Sequence, residues 1–310
     1  MATGFRGVFT GFMLNFSAAK SNGLHRDDLI MNEERMISLA SEHIGNATAP
    51  SRPAALQRTE LMLGTAVQDA LASTKVAVIG LGGVSSWCAE SLVRSGVGEL
   101  LLVDSDRVSI TNVNRQLMAT VKTVGKVKVE VLAERFQEIN PLVKLDVRAQ
   151  VYNEETAAGF HLERYDYVID AIDSLAEKAL LIRDALSIPS VTLFASMGAA
   201  LKMDPFQIRA SEFRKIEGDG LARALRQKFK KTGGYPARKF TCVWSPERRE
   251  NLGDAIEPEA GDTWGGRKAR INGTVAHTTA IFGFSLAGLV IADIEKKCQT
   301  SVCNRTKSSK

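Results

Sequence analysis

The chain has 310 residues, 45% of them hydrophobic, with 40 Lys and Arg against 35 Asp and Glu for a formal net charge of +5. That is enough apolar material for one large domain or two smaller ones, and a charge balance that suits a nucleic-acid partner without demanding one. Four cysteines, Cys88, Cys242, Cys298 and Cys303, are too few and too scattered for a disulfide framework, and with no C-x-x-C pair among them a zinc site of two such pairs is excluded, so a reducing intracellular compartment is the default.

Residues 1–57 read as an N-terminal extension. Residues 1–26 hold no acid, and Arg6, Lys20 and Arg26 are scattered among Ser, Thr and Phe. Two readings stand for them, an organelle transit peptide and a plain unstructured N-terminus. Cytoplasm and mitochondrion therefore both stay open as locations. Arg58–Ser73 carries Leu61, Leu63, Val67, Ala70 and Leu71 at helical spacing, which predicts one helix capped by Thr59.

Lys75–Ile79 is a short β-branched run of the kind used by a strand buried on both faces. Gly80, Gly82 and Gly83 follow, then a helix-compatible segment through Leu92. Strand, glycine turn and helix in that order present backbone N–H groups to a phosphate at a helix N-terminus. Ser85 stands where the G-x-G-x-x-G fingerprint has its third glycine. The helix is predicted to end at S-G-V-G (95–98). Glu99–Ser105 is the second predicted strand, and Asp104 at its end lies about two dozen residues after Gly80, where an acid accepts hydrogen bonds from ribose hydroxyls.

Asp106–Gln116, D-R-V-S-I-T-N-V-N-R-Q, is an exposed polar stretch where a plain dinucleotide-binding unit would enter its helix at once. A helix is predicted over Val127–Ile139, stopped by Asn140-Pro141. Lys126 and Lys128 fall in its first turn, where the helix dipole disfavours cations unless an anion neutralises them. Further strands are predicted at Leu145–Val151 and at Tyr165–Asp173, the latter carrying Asp170 and Asp173 at its C-terminal edge, where open α/β sheets bind ligands. Ser174 is the cap candidate for a helix running to Leu186. Ile188–Phe194 is a fifth strand, and Lys202–Ile208 a strand edge broken by Pro205.

Phe213–Lys231 reads as a basic helical region. From Arg214 to Arg249 the basic residues far outnumber the acids Glu217, Asp219 and Glu247, and Tyr235, Phe240 and Trp244 interleave with them. Exposed aromatics among basic side chains suit single-stranded RNA; an ordinary solvated helix and strand has the same composition. Phe240–Trp244 is a predicted strand, and 246–273 a variable loop poor in apolar residues. Val275–Lys297 is a final buried helix. Its apolar run Ala276–Ile294 is interrupted by His277, Thr278, Thr279, Ser285 and Asp293, so no stable membrane span is expected. Residues 298–310 are predicted to be a polar, frayed tail. Strand–helix alternation throughout points to an α/β, Rossmann-like, doubly wound and mostly parallel sheet, with a basic C-terminal insertion before the last helix.

G-L-G-G-V-S-S-W (80–87), L-V-D-S-D (102–106), T-N-V-N-R-Q (111–116), G-K-V-K-V (125–129) and V-I-D-A-I-D-S (168–174) together resemble the ubiquitin-activating-enzyme-like adenylyltransferases. R-T-E-L-M-L-G (58–64), A-S-M-G-A (195–199) and the ending N-G-T-V-A-H-T-T-A-I-F-G-F (272–284) are most similar to the tRNA threonylcarbamoyladenosine dehydratases within that superfamily. The resemblance spans Arg58 to Ile294 and implies an ATP-binding domain over 58–297. It implies ATP-dependent cyclisation of the threonylcarbamoyl group on adenosine 37 of tRNA, through an acyl-adenylate. It also implies the roles: Gly80, Gly82 and Gly83 on phosphates, and Asp104 and Asp106 beside the ribose. Asn112, Asn114 and Gln116 would sit near the nucleotide. Arg115 and Lys128 would stabilise charge on the α-phosphate, and Asp173 would hold Mg²⁺. Arg58 would reach across a homodimer to the partner's ATP. A cysteine-desulfurase-type or redox partner stays open. Three competitors remain: adenylation of the C-terminus of a ubiquitin-like or sulfur-carrier protein, an NAD-dependent dehydrogenase, and a catalytically dead scaffold that keeps the fold, supported by Ser85 alone. The first would need a transfer cysteine and the second would leave the N-x-N-R-Q segment without a role.

Overall fold

The computed structural model describes residues 54–254, 263–264, 267–268 and 272–308. Readings of residues 1–53 and of most of 255–271 lie outside the described residues.

The expected first helix is two helices, α1 (Gln57–Leu63) and α2 (Thr65–Ser73). Gly64 separates them at φ 82°, a conformation that would strain any other residue. Thr59 lies inside α1 rather than at its cap, and Leu56, the actual cap residue, offers no side-chain bond. β1 (Lys75–Ile79), α3 (Ser85–Arg94) and β2 (Glu99–Val103) follow. A single turn of 3-10 helix at Ile110–Asn112 interrupts the long connection to α4 (Lys128–Ile139). The chain continues through β3 (Lys144–Arg148), β4 (Tyr167–Asp170), α5 (Leu175–Ser187) and β5 (Thr192–Ser196). β4 therefore ends at Asp170, and Asp173 lies in the loop beyond it rather than in the strand.

The strand edge expected at 202–208 is a 3-10 turn at Pro205–Gln207 followed by β6 (Arg209–Glu212), because the Asp204 carboxylate accepts the Phe206 N–H and caps a turn instead. The basic segment opens with a 3-10 turn, Phe213–Lys215, and its helix α6 starts only at Gly220, running to Lys231. β7 (Thr241–Trp244) comes next, then a two-residue pair, β8 (Thr263–Trp264) and β9 (Arg267–Lys268), inside the expected loop. The last helix, α7, spans Ala276–Ser308, so the expected polar tail is helical almost to its end.

Seven strands form one sheet in the order β3-β2-β1-β4-β5-β7-β6, parallel except for β6, which runs antiparallel to β7. Successive strand residues point to opposite faces, and here both faces are covered. Val76, Val78, Leu100, Leu102 and Ile169 pack under α3, α4 and α7, with Phe136, Phe282 and Leu286 fully buried. Ala77, Ile79, Leu101, Val103 and Val168 pack under α5 and α6, with Leu181, Leu225 and Phe229 equally buried. Each such side chain contributes on the order of 1.5–3 kcal/mol, which is why these strands read as unbroken apolar runs.

α7 is long and apolar enough over Ala276–Thr300 to cross a membrane by length and composition alone. Instead Phe282, Leu286, Ala287, Val290 and Ile294 are buried against the sheet and α3. The helices meet at Gly283, where a Cβ would collide with the Val84 carbonyl oxygen. β1 is flanked by β2 on one side and β4 on the other. The chain direction across the sheet reverses there, and the crevice outside the carboxyl ends of β1, β2 and β4 is where an open α/β sheet binds its ligand.

Candidate active site

Gly80 leaves β1 at φ 82°, and a Cβ there would stand 3.3 Å from the Cα and N of Ile172 in the β4–α5 loop. Only glycine admits that backbone approach. Around Gly82 nothing lies within 4 Å of a would-be Cβ, so the turn opens onto free space. At Gly83 a Cβ would come within 3.2 Å of the Arg115 side chain.

Ser85, in place of the third glycine, is fully buried. Its hydroxyl accepts the Gly82 N–H at 3.1 Å and donates to the Gly80 carbonyl. Ser86 adds a bond to the Gly82 carbonyl at 2.7 Å. The serine is thus accommodated inside the turn, where it replaces bare packing with two hydrogen bonds. The Leu81 N–H is also occupied, by the Asp104 carboxylate at 2.6 Å. What remains for an anion is the positive dipole end of α3 where it meets the glycine turn, since the Ser86 N–H goes to the Gly82 carbonyl at 3.3 Å and the Cys88 N–H to the Val84 carbonyl at 3.2 Å.

Asp104 sits just past β2 and also accepts the Asp106 N–H at 2.8 Å. Burial pushes its carboxyl above the ordinary range, opposed by the Lys128 charge 3.9 Å away. Lys128 is the first residue of α4 and is buried, its ammonium 2.8 Å from the Asp106 carboxylate. Asp106 is the anion expected to neutralise a lysine at a helix N-terminus, and it joins the site by that route. Lys126 stands outside the helix and is exposed.

The 3-10 turn after β2 arranges the rest. The Asn112 side chain accepts the Ser109 N–H at 3.0 Å, closing a capping box. Asn114 donates to the Thr274 carbonyl at 3.0 Å, joining this turn to the start of α7. Arg115 is held by the Thr111 carbonyl and the Asn114 side-chain oxygen, both at 2.9 Å. Burial lowers the Arg115 pKa, and Asp173 opposes that shift, so the two charges act on one another across the crevice. Gln116 is buried, and its side-chain oxygen has no hydrogen-bond partner among the described residues.

Asp173 stands exposed at the rim. The protein mass beneath pushes its carboxyl upward, with a backbone hydrogen bond and the charges of Lys178 and Lys128 pulling it back. Among the described residues no three His, Cys, Asp or Glu gather as a metal centre. One carboxylate is nonetheless a fitting partner for a Mg²⁺ that arrives on a triphosphate and keeps its waters.

Gly80, Gly82, Gly83, Asp104, Asp106, Asn114, Arg115, Gln116 and Asp173 therefore lie on the connections that leave the carboxyl ends of β1, β2 and β4, with Asn112 in the 3-10 turn and Lys128 at the start of α4. Arg58 does not join them: it is exposed on α1. Sequence reasoning missed Trp87, whose indole N–H holds the Arg115 carbonyl at 3.1 Å, and Lys178, buried beneath the Asp173 loop. No local pattern distinguishes either from an ordinary helix residue. Cys88 and Cys242 are buried thiols whose pKa values burial pushes up, so neither is a nucleophile.

A profile of the ThiF family matches residues 56–309. The chain belongs to the ThiF family. It is 37% identical over 241 residues to the tRNA threonylcarbamoyladenosine dehydratase of Bacillus subtilis, covering 77% of this chain and 94% of that one. To the Escherichia coli enzyme of the same name it is 35% identical, over 76% and 86% of the two chains. The crystal structure of that Escherichia coli enzyme in complex with ATP superposes with a TM-score of 0.69 at 30% identity, covering 84% of this chain and 99% of that one. The Escherichia coli molybdopterin-synthase adenylyltransferase is 32% identical over 57% of this ThiF-family chain and 66% of its own length.

The basic segment differs from its expectation. Phe240 and Trp244 are buried and Tyr235 is covered by Arg214, its guanidinium 5.5 Å from the ring centre. They are core and strut, not stacking platforms. Arg226 donates to the carbonyls of Phe213 and Ile216, and Arg238 to those of Ile188 and Val191. Lys230 and Lys231 remain exposed on α6.

Proposed function

We infer that this chain catalyses the ATP-dependent dehydration of N6-threonylcarbamoyladenosine at position 37 of tRNA. The observation that carries the reading is the joining of the glycine turn to Asp104, Lys128 and Arg115 at the switch point of the sheet. It occurs in a chain 37% identical to a dehydratase of that name.

A carboxylate is a poor acyl donor, because its leaving group would be oxide. An oxygen of the threonyl carboxylate attacks the α-phosphorus of ATP, an O–P bond forms, and pyrophosphate leaves with its electron pair. A nucleophile of the same side group then attacks the activated carbonyl carbon, closes the ring, loses its proton and expels AMP. Water is removed overall, and its oxygen departs on AMP. No enzyme thiol is needed, in keeping with the buried Cys88 and Cys242.

The chain's work is positioning and charge stabilisation. The first turn of α3 receives phosphate, and Asp104 receives the ribose hydroxyls. Arg115 and Lys128 face the α-phosphate as charge builds on its oxygens. Asp173 would hold a Mg²⁺ arriving with the triphosphate, which would supply neutralising charge to the phosphates. Gln116, with its free buried oxygen, accepts a hydrogen bond from the nucleotide. Arg58 acts in a second copy's site: Leu61 and Met62 beside it are 89% and 85% exposed, and a homodimer would cover them. Exposed Lys230 and Lys231 contribute to tRNA binding. ATP and tRNA as substrates set an intracellular place of action.

The test is incubation of the purified protein, ATP and Mg²⁺ with threonylcarbamoyl-modified tRNA, followed by nucleoside mass analysis. Loss of one water with release of AMP is expected. ATP–pyrophosphate exchange driven by a sulfur-carrier protein and not by the tRNA would overturn the assignment.

A further inference from the structure

Asp170 and Lys178 take no part in the chemistry above, yet both side chains are fully buried and their charged atoms lie 2.8 Å apart. Asp170 closes β4 and Lys178 stands in the first turn of α5. Stability is a weak account of such a pair, since apolar residues of similar volume are commonly as stable in its place. Both partners also hold the backbone of one residue. Asp170 accepts the Ile172 N–H at 3.1 Å, and Lys178 donates to the Ile172 carbonyl at 3.0 Å. Ile172 is the residue that abuts Gly80, and Asp173 is the next in the chain. Residues 171–174 belong to no helix or strand, and their backbone ties lie at the two ends, from the Ala171 N–H to the Ile79 carbonyl at 3.2 Å and from the Lys178 N–H to the Ser174 carbonyl at 3.0 Å, with Ile172 and Asp173 between them.

We propose that Asp170 and Lys178 form a positioning clamp that sets the Asp173 carboxylate at its working distance from the glycine turn, through the two polar backbone groups of Ile172. The clamp rests on the reading of Asp173 as the carboxylate that meets Mg²⁺ on ATP. Neither residue touches substrate. Freed from it, the loop moves by the ångström or so that costs about a hundredfold in rate at a reacting centre.

The decisive variant is the double substitution Asp170→Leu/Lys178→Met. It leaves no buried charge unpaired, so a melting temperature close to that of the unaltered protein is expected. Metal-free ATP should bind within about twofold of the unaltered protein. The gain in ATP affinity on adding Mg²⁺ should fall about tenfold, and kcat about a hundredfold. A second variant, Asp170→Asn/Lys178→Gln, keeps an acceptor for the Ile172 N–H and a donor for its carbonyl without either charge. It should recover the Mg²⁺-dependent gain and turnover to within about tenfold. It also carries the test should the apolar pair fail to fold. An Asn/Gln variant of native melting temperature that has lost the Mg²⁺ gain overturns the clamp. So does an apolar pair that keeps the gain while Asp173→Asn in the unaltered background loses it. If Asp173→Asn changes neither, the reading of Asp173 fails first and takes the clamp with it.

Discussion

The crevice beyond β1, β2 and β4 and the basic segment 213–249 are both rich in charge, and they use it differently. In the crevice, charged side chains face one another or open space. Lys128 meets Asp106 and Asp104, while Arg115 feels Asp173 across a turn with nothing above Gly82. In the basic segment, arginines give their donors to backbone carbonyls. Arg226 ties the turn at 213–216, and Arg238 ties the chain before β5. Arg115 also gives one nitrogen to the Thr111 carbonyl and the Asn114 side chain, but it faces the Asp173 charge as well, which the struts of the basic segment do not. Loss of a strut should appear in melting temperature, and loss of Arg115 in rate.

The largest effect should come from Asp173→Ala. It removes the carboxylate proposed above to meet Mg²⁺, and Mg²⁺-dependent adenylation should be abolished while the melting temperature stays within a few degrees. Pyrophosphate exchange at saturating Mg²⁺ measures it; residual exchange above about a tenth of the unaltered rate would remove Asp173 from the site. Next comes Arg115→Ala, a single charge-stabilising donor, for which a drop in kcat of about a hundredfold or more is expected. Wild-type turnover in that variant would mean that the crevice does not receive the α-phosphate.

Those two residues stand in motifs that could be read directly. A glycine turn after a β-branched strand, an acid two dozen residues on and the N-x-N-R-Q segment have fixed spacings, because each is set by the backbone between neighbouring strand ends. Asp106 as the partner of Lys128 was half legible: the helix dipole required some anion, and the fold supplied which. The separation of α1 from α2 at Gly64 depended on a single positive φ, and the polar composition of 298–308 carried no sign that α7 would continue through them. The basic segment kept two readings open for a related reason. Phe240 and Trp244 look alike in sequence whether they stack on a base or fill a core, and only the position of β7 within the sheet decides.

The resolution of those two readings yields a sharper contrast of intermediate size. Arg226→Ala should lower the stability by about 2 kcal/mol, the worth of charge-assisted bonds to carbonyls. The melting temperature should fall by about 4–8 °C while the salt dependence of tRNA binding is unchanged. The exposed pair Lys230→Ala/Lys231→Ala should do the reverse. Stability should hold, and the slope of log K against log salt should become shallower by about one to two. If Arg226→Ala flattened the salt slope and left the melting temperature alone, the division between struts and anion ligands would be wrong at the residue that illustrates it most clearly.

Ser85→Gly should have the smallest effect, and it bears on the crevice itself. The serine hydroxyl occupies the Gly82 N–H and the Gly80 carbonyl, so a glycine there would free one donor at the mouth of the turn and leave one carbonyl to water. Two neutral hydrogen bonds of about 1 kcal/mol each are at stake, partly recovered because the turn opens onto free space at Gly82. A fall of a few degrees in melting temperature follows. ATP affinity should change by less than about threefold, because the freed N–H gives the phosphate one more donor while the turn that carries it becomes looser. Calorimetric melting and ATP titration on the same preparation separate the two. A tenfold loss of ATP affinity would mean that the serine orders the phosphate-binding turn. A tenfold gain would mean that it has been withholding the Gly82 N–H from the nucleotide. Either result would make the departure from the third glycine a functional setting of this chain rather than a local repair of its packing.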